Sequence, residues 1–403
     1  MMPAVTAAEK IRCANDLQMF EALREDRTVQ RVNEQVERQQ KEGPLGIRRR
    51  LLATSVRLSA RMAPDVHRHA DACVEALGLS IPLETYVFSS PQFNAACFKP
   101  EDGRLFVMFS SSLLEAFDDA ELRFVMGHEL GHHVYGHHNI PIGYILHGAQ
   151  PPPQLAIQLF TWSRYAEISA DRAGAYCAQD IAGVSRALFK LASGLSGKTI
   201  QFHLEDFLEQ VEDMQIEDAE PGRSAPKEDW FSTHPFSPLR VKALNLFDKS
   251  ALMSEGGMPA PDLEVAVQSV MSLMEASYLE GQTEVAEAMR RLLFAGALTV
   301  ANADAAISDQ EIAVFQKFFG EGSFDDNLDL AALESDLDSR IKQVREIAST
   351  TQAMQVLRDL CIVSRAEGHT REPERAVLDR IADGLGVSRS FICQAMEGDL
   401  EPD

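Results

Sequence analysis

The decapeptide Val125-Met126-Gly127-His128-Glu129-Leu130-Gly131-His132-His133-Val134 holds the residue types and spacing best suited to chemistry. It contains His-Glu-x-x-His. On an α-helix the two histidines stand at i and i+4, so both rings leave one face about a turn apart and can grip one Zn²⁺. A metal held this way acidifies water. Glu129, next to the first histidine, is placed to take that proton and return it to a leaving amine. The flanks are uncharged, as a buried helix requires, and Gly127 and Gly131 leave room for a close neighbour. The plain alternative is an ordinary helix with two surface histidines.

A catalytic zinc usually takes a third protein ligand and keeps one open position. The best third ligand is Glu167, 35 residues after His132, on a helix able to pack antiparallel against the first. Asp171 follows by four, on the same face, where it can accept the outer N–H of a ligand histidine and fix its tautomer. Exposed helix charges are the alternative for both. His133, His137 and His138 crowd the helix end and read as partners of its dipole rather than as ligands. His234, before Pro235, has three open readings: a donor to the oxyanion of a tetrahedral intermediate, a fourth ligand in a resting state, or a helix-entry residue without chemistry. Arg240 either holds that loop by pairing with an acid or is surface charge.

The elements around these residues are mostly helical. Residues 1–42 read as helix, and a second helix is expected from Ile47 to Leu77. Three strands follow, Thr85–Phe88, Asn94–Phe98 and Arg104–Phe109, with Pro100-Glu101-Asp102-Gly103 as a hairpin turn. They predict a small antiparallel sheet just before the metal helix, whose edge could take an extended peptide by strand addition. Ser110-Ser111-Ser112 caps a short helix, and Asp118-Asp119 caps the metal helix. A long helix from about Gln154 to Cys177 carries Glu167 and Asp171. The acidic stretch Glu217–Trp230 reads as a loop and Ser254–Pro261 as a linker. The predicted organisation is an N-terminal helical segment (1–45), a metal-binding domain (46–250), a linker (251–262) and a C-terminal helical domain (263–403).

Bulk properties narrow the function classes. The 403 residues carry a net charge of −23, which argues against a general nucleic-acid binder and against docking on anionic lipid. Residues 262–403 alone hold 27 Asp+Glu against 12 Lys+Arg. No run of about 18 apolar residues predicts an integral membrane segment. The first twenty residues lack a secretory apolar core, and six scattered cysteines without a CxxC pair look like reduced thiols, so a cytoplasmic location is expected.

Four pieces in order, Ser90-Pro91-x-x-Asn94-Ala95, His128-Glu129-Leu130-Gly131-His132, Glu167-x-x-Ala170-Asp171 and His234-Pro235-x-x-x-x-Arg240, resemble the zinc metallopeptidase family of the CAAX prenyl protease and the HtpX heat-shock protease. The resemblance implies a gluzincin-type fold, zinc on His128, His132 and Glu167, Glu129 as catalytic base, and Asn94 and Ala95 with Arg240 on the substrate side. The named members are membrane proteins, whereas this chain resembles a soluble branch. Residues 280–400 resemble the TerB-like tellurite-resistance domain through Asp304…Glu311 and Glu367…Glu374. A protein partner or a regulatory metal is expected there. The expected function is a metalloendopeptidase acting on protein or peptide substrates in quality control or stress response. The alternatives are a non-cleaving, chaperone-like binder and a metal or stress sensor on the same fold.

Overall fold

A computed structural model describes residues 6–42, 46–148, 153–197, 201–213, 237–271, 284–301, 303, 330–348, 350–366 and 372–392. The chain forms two compact units: Met1–Pro141, Trp162–Met214 and Phe236–Val270 make one, and Ile142–Thr161, Gln215–Pro235 and Met271–Asp403 the other.

The N-terminal segment is three helices rather than one run: α1 (Ala7–Ile11), α2 (Ala14–Glu25) and α3 (Arg27–Glu42). Asp26 makes the second break. Its carboxylate accepts the Thr28 and Val29 N–H groups at 2.7 and 3.3 Å, which starts a new helix. The helix expected over 47–77 is likewise divided, into α4 (Ile47–Thr54), the strand β1 (Val56–Leu58) and α5 (Pro64–Ala76). Ser55 is extended, Val56 is β-branched, and Pro64 suits the first turn of a fresh helix.

The strands β2 (Leu83–Phe88), β3 (Ala95–Glu101) and β4 (Arg104–Ser110) complete a sheet of order β1-β2-β4-β3. The sheet is mixed, which corrects the all-antiparallel expectation. Asp102 and Gly103, with φ of 48° and 69°, fold β3 back onto one flank of β4. β2 takes the other flank and therefore runs parallel to β4, with Leu83 opposite Leu105 and Phe88 opposite Ser110. Leu51, Tyr86 and Phe106 form an apolar cluster with Ile47, Phe98 and Met108 packed against it. β3 is an edge strand.

Ser110 caps α6 (Ser111–Ala116), and Asp118 caps α7 (Asp119–Val134) in a reciprocal box with Glu121. A 3₁₀ turn, His137–Asn139, follows Gly136, and α8 (Ile142–Gly148) follows that. Then come α9 (Pro153–Ala178), α10 (Ile181–Ser193), α11 (Leu204–Asp213) and α12 (Ser237–Asp248). α7 packs against α5, α10, β3 and β4. The expected linker at 251–262 is an ordered turn. Met258 N–H donates to Lys249 O at 2.9 Å, and Gly257 lies so close to Ser250 that a Cβ there would meet its carbonyl carbon at 2.5 Å. Glu264 of α13 (Ala260–Met271) bonds Arg172 Nη1 at 2.6 Å, within the first unit.

In the second unit, α14 (Glu284–Ala301) packs against α15 (Leu330–Ile347), α16 (Thr350–Ala366) and α17 (Glu372–Leu385). Leu292, Leu337, Val356, Leu357 and Ile381 are among its fully buried residues. Asp304–Glu311 and Glu367–Arg371, which carry most of the expected TerB-like pattern, lie outside the described residues, as does Glu217–Trp230. Among the described residues, no helix is long and apolar enough to cross a membrane.

Candidate metal centre

The centre depends first on how closely α7 and α9 approach. A Cβ on Gly131 would lie 2.9 Å from Ala173 Cβ and 3.1 Å from Ala170 Cα, and one on Gly127 would lie 2.8 Å from Cys177 Sγ. Two glycines four apart on α7 therefore face small residues on α9, and the backbones nearly touch. Side chains beside that contact are forced together. Glu167 and Asp171 stand one turn apart on α9, as His128 and His132 do on α7.

His128 Nε2 and His132 Nε2 lie 3.1 Å apart. Glu167 Oε1 is 3.3 Å from His132 Nε2, and Oε2 is 3.5 Å from His128 Nε2. One ligand atom from each residue falls within 4.8 Å of the others. Two imidazole nitrogens and a buried carboxylate thus converge on one point, and a divalent cation satisfies all three at once. The donor set fits zinc. Burial disfavours a charged His132, but the Glu167, Glu129 and Asp171 carboxylates together hold the imidazole pKa above its ordinary value.

The outer nitrogens are anchored. His128 Nδ1 lies 2.9 Å from Asp171 Oδ1. Asp171 is fully buried and accepts Arg240 Nε at 2.8 Å and Nη2 at 2.7 Å. Burial raises its carboxyl pKa, yet the Arg240 guanidinium brings it below the usual value. Asp171 therefore stays ionised and can only accept, so His128 carries its proton on Nδ1 and turns Nε2 toward the centre. His132 Nδ1 lies 2.9 Å from His137 Nδ1.

Glu129 is half-buried, and its charge is felt by Cys97 on β3 and by His132. The edge strand β3, which packs against α7, therefore runs beside Glu129. Asn94 is exposed just before β3, where its N–H donates to Ser110 Oγ at 3.0 Å, and Ala95 pairs with Phe109. Arg240, grouped with substrate contacts by resemblance, is instead buried on Asp171, and its Nη2 is 3.5 Å from Glu167. It takes the acid-pairing alternative. His234 lies outside the described residues.

Sequence reasoning missed His137. Read as a dipole partner, it instead lies against His132 of the converging set. Its signal was local: Gly136, at φ 70°, turns the chain back at the helix end.

Comparison with known proteins bears on this geometry. Residues 60–155 and 153–247 match peptidase family M48. This region is therefore similar to the domain of family M48 peptidases. Residues 290–397 match the tellurite resistance protein TerB. A curated relative, the plastoglobule-localized metallopeptidase 48 (chloroplastic) of Arabidopsis thaliana, is 30% identical over 214 residues, which are 49% of this chain and 61% of the relative. The chain thus spans less than two thirds of that relative's length. No solved structure gives a significant match. The matched region contains α7, α9 and Arg240, hence every described residue of the converging set.

Proposed function

We propose that the chain is a zinc metalloendopeptidase that hydrolyses peptide bonds of protein substrates. The observation that carries this reading is the convergence of His128, His132 and Glu167, with His128 oriented from behind by an ionised Asp171. These three residues would hold the metal, and zinc bound there would supply Lewis-acid polarisation of the scissile carbonyl and acidification of water.

The remaining steps belong to the chain's own side chains. Glu129 takes the proton from the attacking water and delivers it to the departing amine nitrogen, so the proton lost by the nucleophile is regained by the leaving group. The substrate backbone lies along the edge strand β3, starting near Asn94 and Ala95, and pairs with its N–H and C=O groups. His234 donates to the oxyanion. Arg240 acts behind Asp171 rather than on substrate. The six scattered cysteines, without a CxxC pair, support a reducing, cytoplasmic setting, and the TerB region would recruit substrates or regulate access in quality control.

Cleavage of unfolded casein tests the reading. The wild type is expected to cleave, to lose activity to a chelator, and to regain it with zinc. Glu129→Gln should abolish turnover while still binding zinc. Equal behaviour of wild type and Glu129→Gln would favour the non-cleaving, chaperone-like alternative.

A further inference from the structure

The two ligand histidines are oriented by different groups. Behind His128 stands a carboxylate on the neighbouring helix, and behind His132 stands a second imidazole. His137 is buried, with its Nδ1 2.9 Å from His132 Nδ1 and its Nε2 3.2 Å from Asp16 Oδ2. Asp16 belongs to α2, outside the region that matches family M48. It is fully buried and held by Arg12 Nε at 2.8 Å, Arg12 Nη2 at 3.2 Å and Trp162 Nε1 at 3.0 Å.

The roles along this chain follow from its end. A carboxylate bonded to a guanidinium and an indole N–H is ionised and can only accept, so His137 carries its proton on Nε2. A neutral His137 then offers Nδ1 as an acceptor. His132 must donate from Nδ1, which leaves the lone pair of Nε2 directed at His128 and Glu167. We propose that Asp16 and His137 are positioning residues of the metal centre, and that the N-terminal helices are thereby part of the metal-binding machinery. This rests on the zinc reading above.

The test uses the full chain and two readouts other than turnover: zinc affinity by competition with a chromogenic chelator, and the histidine tautomers by ¹⁵N NMR. His137→Leu removes both hydrogen bonds and should weaken zinc binding roughly 10–100-fold, as loss of an outer partner does. His137→Gln offers an oxygen to His132 and an N–H to Asp16, so it should restore most of the affinity. Asp16→Asn should fall between them. A purely packing role predicts the opposite order, with Leu tolerated and Gln not. Wild-type affinity in His137→Leu, or a Gln variant no better than Leu, would overturn the proposal. If His137→Leu does not fold, the wild-type spectrum decides: a proton on His137 Nε2 supports the chain and one on Nδ1 refutes it. Equal affinity across the variants would sink the positioning chain and leave the zinc reading intact, whereas a wild type that takes up no zinc would sink both.

Discussion

The α7–α9 contact and the C-terminal bundle use the same packing device to different ends. In both, a glycine lets helices approach closely. At Gly131 the opposing atoms are Ala173 Cβ and the Ala170 backbone, while at Gly296 they are the tips of Leu360 and Ile381. The flanking residues differ more. Beside Gly131 stand His128, His132, Glu167 and Asp171, with both histidine Nδ1 atoms engaged. Beside Gly296 stand buried aliphatic residues. Close packing is thus not itself a functional signal. It becomes one when polar side chains at i and i+4 flank it and each is oriented from behind.

The largest test of this contrast is Arg240. Arg240→Met leaves the fully buried Asp171 carboxylate without its cation, which should cost about 3–5 kcal/mol and weaken zinc through a loosened His128. The pH dependence has a definite sign. Asp171 titrates in the folded protein below its ordinary value of 3.8. The pair's contribution is therefore complete above that value and disappears as pH falls through the folded pKa. Denaturant melts should show a wide gap between wild type and Arg240→Met at pH 7 and a narrowing one below pH 4. A gap that stays constant with pH would remove the ion pair from the account.

Next come the two glycines. Gly131→Ala drives a methyl into backbone and a Cβ, neither of which can rotate away. Overpacking of this kind costs typically about 1–3 kcal/mol, and spreading α7 from α9 should also lower zinc affinity. Gly296→Ala meets only flexible side-chain ends, and replacing a mid-helix glycine returns about 0.5–1 kcal/mol. Its stability should stay near wild type and its zinc affinity should not change. If both variants behave alike, the contact at Gly131 has no special part in the site.

How much of this was legible in the sequence depended on whether the partners lay on one element. His128 and His132 declare their shared face by spacing, as Glu167 and Asp171 do, because a helix maps i and i+4 onto one side. The glycines at 127 and 131 gave the close approach. Strand neighbours were not legible. Alternation shows which face a residue takes, not which strand lies beside it, so the parallel β2–β4 pairing was hidden and three-residue β1 was absorbed into a helix. Asp16 was invisible for the same reason, since it precedes His137 by 121 residues and nothing local marks the pair. Arg240 carried an ambiguous signal, and only tertiary packing distinguishes a buried clamp from a surface charge.

The smallest test separates the helix that carries the ligands from the site it carries. Asp118 Oδ1 accepts the Ala120 and Glu121 N–H groups at 3.0 Å each, and Glu121 Oε2 accepts the Asp118 N–H at 2.8 Å. Glu121 is in turn buried against Lys190 Nζ at 2.6 Å, so the box also ties α7 to α10. Asp118→Ala removes the cap and should cost about 0.5–2 kcal/mol, read as a lower midpoint in urea. His128 lies well over two turns along α7, where the ladder is held by α9 rather than by the cap. Zinc affinity should therefore match wild type within error while stability falls. A matching loss of zinc would mean that orientation at the centre depends on the whole of α7 rather than on the contact with α9 and the groups behind each histidine.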